Sequence, residues 1–277
     1  MRAFTAELGV RQPPISLNQD LGATHREVVP LIGAGAEPLD ILHAVEAHRQ
    51  YWRPDRVRVV LFAESHVYTT ASELAHRLRP LAELPTGLPR EFVRLVYNVG
   101  YGENQLLEQP IAAPRNSGTP QYWKIFQSCL TPAGTVPDCA PLQPSRTSDA
   151  RSRLRAKLRL LMNLKSNGVW LVDASVAALY VPGQSKPAPN VRQAVLEASW
   201  HGYIGAMLRA AAPEAILCIG VGVARSLKRQ LDQLAIPWAG VHQPQAHLSS
   251  EEHARIHATY GAVCADPRYV ESIPSVV

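Results

Sequence analysis

The chain has 277 residues, 46% of them hydrophobic and 18% charged, so it is long enough to bury a large core and too apolar to be disordered. Its formal net charge of +5 favours an anionic partner. No stretch reaches the ~20 apolar residues of a membrane span, and residues 1–20 lack a signal-peptide core, so we expect a cytoplasmic protein with no membrane partner.

Residues 1–24 contain paired prolines and little periodicity, which predicts an N-terminal arm, and residues 25–277 are predicted to form a single domain. Residues 38–51 carry apolar side chains at helical spacing and predict a helix. The next segment, residues 57–62, is an apolar run that stops at Glu64. This pattern is typical of a buried parallel strand.

The middle of the chain is less regular. Residues 73–84 predict a helix and residues 92–97 a short β-like segment. Residues 109–145 are rich in proline and predict a long insertion with one ordered island around Trp123. Residues 151–164 place leucines on one helical face and basic residues on the others, which predicts a basic amphipathic helix.

Three later apolar runs repeat the first strand pattern, at residues 168–173, 215–219 and 237–241, with a helical segment at 191–211. Strands that alternate with helices predict a parallel sheet covered on both faces. The sequence therefore predicts an α/β fold with three α/β/α layers and a central, mostly parallel, four-stranded sheet.

Polar side chains follow three of these strands, and they are Glu64, Ser65, His66, Tyr68, Asp173, His242 and His247. A ligand crevice is expected there because the carboxyl ends of parallel strands share one edge of the sheet. The fourth run leads into a glycine turn at residues 220–222, which suits either a phosphate or a plain strand-to-helix connection.

Taken in order, these segments resemble the uracil-DNA glycosylase superfamily over about residues 55–265. Ala63-Glu64-Ser65-His66-Val67 approximates its water-activating motif, and Val169-Trp170-Leu171-Val172-Asp173 stands where the family has a base-reading asparagine. Residues 241–249 are similar to its closing histidine loop, and Tyr122-Trp123-Lys124-Ile125 is similar to an element of its mismatch-specific branch.

The resemblance implies a monomeric DNA glycosylase that removes a deaminated or modified base from DNA in base excision repair, without a cofactor or metal. Glu64 is then expected to hold the attacking water, and His242, or alternatively His247, to donate to the departing base. The implied base-binding residues are Ser65, His66, Tyr68, Trp123 and Asp173. The implied DNA-binding residues are Arg155, Arg159, Gln245, His247 and Ser249.

Two other functions stay open at this point. One is hydrolysis of a free nucleoside or nucleotide in the same pocket. The other is a nucleic-acid-binding module that keeps the fold but has lost the reaction, since Ala63 and His66 replace a glycine and a proline of the first motif.

Individual residues also have structural alternatives. Glu64 suits a helix cap or a pair with an arginine, and Asp173 suits a helix cap. The basic helix suits a solvated face, and Trp123 suits the core. The four cysteines form no C-x-x-C pair, and His253 with His257 lacks the glutamate of a metalloprotease motif, so no metal site is expected.

Overall fold

The computed structural model describes residues 15–112, 116–132, 135–243 and 246–274. Within them, the sheet consists of the parallel strands β1 (Val59–Ala63), β2 (Val169–Asp173), β3 (Ala215–Ile219) and β4 (Trp238–Val241). Their order across the sheet is β2-β1-β3-β4. Every residue of the first three strands is buried, which explains why each is a continuous apolar run and not an alternating one.

Helices flank this sheet. In chain order they are α1 (Ile15–Ile32), α2 (Leu39–Tyr51), α3 (Ala71–Leu74), α4 (Pro120–Cys129), α5 (Ala150–Ser166), α6 (Pro189–Ser199), α7 (Gly205–Ala211), α8 (Val221–Ser226), α9 (Lys228–Asp232) and α10 (Ser250–Ala265). A π-helical turn, Trp200–Ile204, joins α6 to α7. One group of packed helices is α4, α5 and α10, and another is α1, α2 and α6. The arrangement confirms the predicted three-layer α/β/α fold.

Large aromatic side chains attach these layers to the sheet. The ring of Phe62 in β1 meets Trp200 edge-on at 6.2 Å. In β2, Trp170 donates its indole N–H to the Arg49 carbonyl of α2 at 3.0 Å. The hydroxyl of Tyr97 accepts from the Leu171 N–H at 2.7 Å, which satisfies a backbone donor of the edge strand β2.

Helix α1 runs through the predicted arm boundary at residue 24. Leu21 and Thr24 are buried, and α1 packs against α6 and the π-helical turn. The contact is close, since a Cβ added to Gly202 would lie 2.2 Å from the Thr24 Oγ1. Residues 20–24 are therefore part of the packed domain, while residues 1–14 lie outside the described residues.

Two predicted elements in the first half are wrong. The helix expected at residues 73–84 is confined to α3, because the chain then becomes extended and Arg77 and Leu78 form isolated β-bridges with Glu91 and Leu107. The β-like segment at residues 92–97 is buried, but it joins no strand, and its Phe92 N–H donates to the His76 carbonyl at 2.9 Å. The segment is apolar because it is buried, and not because it pairs in the sheet.

In the part of the chain that the structure describes, no helix is long and apolar enough to cross a membrane.

Candidate functional site

A cleft of about 280 Å³ lies at the carboxyl ends of β1, β3 and β4. Glu64 lines it directly after β1, residues 219–223 line it after β3, and His242 lines it after β4. Tyr180 and Arg192 complete its walls. The structure thus brings together Glu64 and His242, the two residues predicted to be catalytic, at the sheet edge where ligands of parallel α/β proteins bind.

Two side chains fix the Glu64 carboxylate. The Tyr180 hydroxyl donates to Oε2 at 2.8 Å, and the Arg192 Nε donates to Oε1. Arg192 also donates from Nη1 to the Ser226 Oγ at 3.0 Å. The side chains of Glu64 and Arg192 are 20% and 21% exposed, so a ligand in the cleft can contact both. The structure therefore realises the arginine pairing that was one alternative for Glu64.

The charge of this carboxylate affects two tyrosines. Burial, together with the charge of Glu64, raises the pKa of Tyr180 to about 12, so its hydroxyl stays a hydrogen-bond donor at neutral pH. Burial and then the charges of Asp173 and Glu64 raise the pKa of Tyr122 on α4.

Glycines shape the wall after β3. Gly220 has a φ of +119°, a conformation that favours glycine, and its N–H donates to the Val241 carbonyl at 2.8 Å. At Gly222 an added Cβ would lie 3.0 Å from the Arg192 Nη2. The missing side chain therefore lets the guanidinium lie against the start of α8.

His66 and Asp173 belong to a buried ion-pair network and do not line this cleft. The His66 Nε2 lies 2.8 Å from the Glu37 Oε2, and its Nδ1 lies 3.8 Å from the Asp173 Oδ2. Arg49 donates from Nη2 to the Asp173 Oδ2 at 2.8 Å and pairs on its other side with Glu46. Asp173 therefore holds an arginine, and the helix-cap alternative for it is not realised.

The network fixes the charges of its members. Burial alone would lower the pKa of His66, but Glu37 and then Asp173 outweigh burial and raise it to about 9. Burial alone would raise the pKa of Asp173, but His66 and Arg49 outweigh it and lower that pKa. At neutral pH His66 is a cation and Asp173 an anion, and they stabilise each other out of contact with solvent.

The other predicted base-binding residues are dispersed. Ser65 is partly buried, and its Oγ lies 3.5 Å from the Leu179 N–H. Tyr68 is partly buried in the segment that follows β1. Trp123 is buried in α4, with its ring edge-on to Phe126 at 6.0 Å, as the core alternative expects. None of the three lines the cleft.

Two predicted DNA-binding residues lie on α5, which forms as a helix with a buried leucine face. Arg155 and Arg159 are exposed on its opposite side. Arg155 pairs with Glu83 at 3.3 Å, so acidic neighbours already offset part of the positive charge of this face.

The remaining predicted DNA-binding residues precede α10. His247 is exposed, and Ser249 caps the helix by accepting from the Glu252 N–H at 3.2 Å. Gln245 lies outside the described residues. Further along the helix, the His257 Nδ1 lies 2.9 Å from the Ser128 Oγ. The described ranges hold no group of three or more side chains placed to bind a metal ion.

Sequence reasoning missed Arg192 and Tyr180. Arg192 lies in the first turn of α6, and Tyr180 lies in the connection that follows β2. Both are more than a hundred positions from Glu64 along the chain, so no local pattern links them to it. The signal available was the strand end itself, where a partly buried carboxylate needs a cationic or hydrogen-bonding partner.

Comparison with known proteins gives one partial similarity. The chain is similar to an adenine phosphoribosyltransferase of Anaeromyxobacter sp. (strain Fw109-5), with 31% identity over 88 residues. The similar region is 31% of this chain and 48% of that protein, so the chain spans about half the length of the curated relative it matches. No protein-family model matches the chain, and no solved structure gives a significant match.

This similarity contradicts the predicted membership of the uracil-DNA glycosylase superfamily, because the relative is named as a transferase of phosphoribosyl groups. The prediction of a DNA glycosylase acting in base excision repair is wrong, and so is the alternative of a hydrolase of free nucleosides. The non-enzymatic alternative also came from that resemblance and loses its basis with it. The same holds for the base-binding roles predicted for Ser65, His66, Tyr68, Trp123 and Asp173.

Proposed function

We propose that the cleft beside Glu64 binds a phosphoribosylated ligand and that the protein transfers a phosphoribosyl group to a purine base. The observation that carries the proposal is the Glu64–Arg192 pair on the wall of the cleft, with Tyr180 on the carboxylate. The similarity to an adenine phosphoribosyltransferase supports the choice of ligand and of reaction class.

The pair suits the charges of such a ligand. Transfer forms a bond from a base nitrogen to the ribose C1′ and breaks the bond from C1′ to a diphosphate, which leaves with the electron pair. Positive charge develops on the ribose in the process, and the Glu64 carboxylate is placed to stabilise it, as carboxylates do in glycosyl transfer. The base loses a proton, and His242, on the same cleft, supplies an imidazole that can accept it.

Arg192 supplies the group that recognises phosphate. A guanidinium carries five N–H donors in a planar fork that matches phosphate oxygens. Arg192 uses Nε for Glu64 and Nη1 for Ser226, and its Nη2 lies at Gly222 on the cleft wall. A phosphate at this position would be held beside Glu64 without breaking the pair.

The dimensions agree with a small ligand. Sites for small molecules typically have volumes of ~300–1,000 Å³. The cleft, at about 280 Å³, lies just below the lower limit of this range, which suits a small ligand. Its position at the strand ends is also where nucleotides bind in open α/β sheets.

Calorimetric titration with adenosine 5′-monophosphate, adenosine and ribose 5-phosphate tests the binding step. We expect the two phosphorylated compounds to bind at least tenfold more tightly than adenosine, because a charge-assisted phosphate contact is worth more than ~1.4 kcal/mol. Arg192→Gln should abolish this preference. Arg56→Gln, at the amino-terminal edge of the sheet, is the matched control and should leave it unchanged.

Equal affinity for adenosine and its monophosphate, or an unchanged preference in Arg192→Gln, would contradict the assignment. DNA as a partner, a monomeric state and a cytoplasmic location stay predictions beside this proposal.

A further inference from the structure

A second, smaller cavity of about 60 Å³ lies between the start of α4 and the Lys157 side chain of α5. Glu103, Thr119 and Trp123 also line it. None of these residues lines the cleft beside Glu64. We propose that this cavity binds a free inorganic oxyanion of the phosphate class.

Lys157 on the cavity wall and Arg153, which does not line the cavity, are two cations that pair with the single carboxylate of Glu103. Lys157 donates to the Glu103 Oε1 at 2.7 Å, and Arg153 donates to both Glu103 oxygens, at 2.8 and 2.6 Å. The side chains of all three residues are 5% exposed or less. Two cations therefore share one carboxylate away from solvent, and a buried unbalanced charge is unfavourable. An anion would supply the missing negative charge.

Lys157 is the cation with donor capacity to spare. Arg153 directs Nε and Nη2 to Glu103, and its Nη1 donates to the Ser148 carbonyl at 2.8 Å. The Lys157 ammonium has three donors, of which one serves Glu103 and one faces the Trp123 ring at 5.1 Å. The third is available to a ligand in the cavity.

Thr119 gives an independent indication. Its Oγ1 is buried and has no hydrogen-bond partner within the described residues, although Thr119 is the residue that precedes α4 and lines the cavity. Buried hydroxyls in folded proteins are almost always hydrogen-bonded. The ten-residue helix α4 also directs the positive end of its dipole to this point. A donor hydroxyl, an ammonium and a helix N-terminus together favour an oxyanion.

The volume selects a free ion over a larger phosphate ester. A water molecule needs ~10–15 Å³ of such space, so the cavity has room for roughly four to six water-sized positions. That matches the five heavy atoms of phosphate and excludes a nucleotide. Sulfate has the same shape and is expected to bind as well.

The test is calorimetric titration with inorganic phosphate at constant ionic strength, with chloride as the reference anion. We expect saturable binding of phosphate and none of chloride. Thr119→Val, which keeps the shape and removes the hydroxyl, should weaken binding about tenfold, and Thr119→Ser should restore it. Equal affinity in Thr119→Val and the unchanged protein, or no saturable binding, would overturn the proposal.

Two further variants separate anion binding in this cavity from damage to the fold and from binding in the cleft beside Glu64. Glu103→Gln removes the competing carboxylate and should strengthen phosphate binding, a direction that general damage to the fold would not produce. Arg192→Gln should remove any phosphate binding in the cleft beside Glu64 and leave the Thr119-dependent binding event unchanged. If Arg192→Gln loses phosphate binding while Thr119→Val keeps it, the ion binds in the cleft beside Glu64. That result would overturn the proposal. If Glu103→Gln does not fold, the Thr119 pair decides the question.

Discussion

The imidazole of His66 and the carboxylate of Glu37 form a fully buried ion pair, with 2.8 Å between Nε2 and Oε2. The same carboxylate accepts from the backbone N–H of Thr69 at 2.7 Å and of Ala178 at 2.9 Å. One side chain thus ties the segment after β1, which carries Glu64, to the connection after β2, which carries Tyr180.

We expect Glu37→Gln to destabilise the protein. The amide keeps one acceptor oxygen but replaces the other with an NH2 donor that faces groups which already donate, and His66 loses the charge of its partner. Breaking a buried pair in this way costs about 2–4 kcal/mol of the free energy of unfolding. Urea denaturation measures it. Glu214→Gln, a partly exposed carboxylate paired with Arg56, is the control and should cost less than ~1 kcal/mol. A loss in Glu37→Gln as small as the control's would show that the pair is not stabilising.

The same ion pair predicts that the free energy of unfolding falls as the pH becomes alkaline. The pKa of His66 is raised from 6.5 to about 9, so its contribution is fully present below pH 6.5 and is lost as the pH rises through about 9. The change is on the order of 3 kcal/mol. Denaturation between pH 6.5 and 9.5 should show this decline, and His66→Gln should flatten it. An equally steep decline in His66→Gln would assign the effect to other groups.

Much of the fold was predictable because its strands are buried on both faces. The runs that became β1 to β4 are apolar and end at polar or glycine residues, so their bounds were predicted to within two residues. The segment at residues 92–97 has the same composition but no strand beside it. Apolar composition reports burial, and only tertiary contacts decide whether a buried run pairs in a sheet.

The site was predictable only in part, for a related reason. Strand ends pointed to Glu64 and His242, which line one cleft. They pointed equally to His66 and Asp173, which lie in a buried network. A polar residue after a strand can face the cleft or the buried interior, and the residues that it pairs with determine which of the two it faces. Arg192 lies on α6, far from Glu64 along the chain, so the residues at the strand end do not predict this partner.

Gly222 offers a test of how closely Arg192 must lie to the cleft wall. A Cβ at position 222 would lie 3.0 Å from the Arg192 Nη2, so Gly222→Ala should displace the guanidinium by a few tenths of an ångström. We expect affinity for adenosine 5′-monophosphate to fall a few fold, with affinity for adenosine unchanged. In Gly22→Ala, where the added Cβ meets only ordinary contacts, both affinities should stay the same. A uniform loss for both ligands in Gly222→Ala would point to general distortion.

The contact between Gly202 and Thr24 tests whether α1 is an integral part of the domain. An alanine at position 202 would place its Cβ 2.2 Å from the Thr24 Oγ1, so Gly202→Ala should destabilise the protein by about 1–3 kcal/mol. Thr24→Ala removes that oxygen. The double variant should therefore recover part of the loss in a double-mutant cycle of unfolding free energies. Strict additivity of the two changes would mean that α1 does not press on the π-helical turn.

The measurement that tests the central claim most directly is phosphoribosyl transfer itself. The purified protein is incubated with adenine and 5-phosphoribosyl 1-diphosphate, and the formation of adenosine 5′-monophosphate and diphosphate is followed by chromatography. We expect both products in equal amounts, a loss of about a hundredfold or more in Glu64→Gln, and full activity in Glu214→Gln. Absence of both products with adenine and with other purine bases, in a protein that binds the monophosphate, would contradict the transfer reaction.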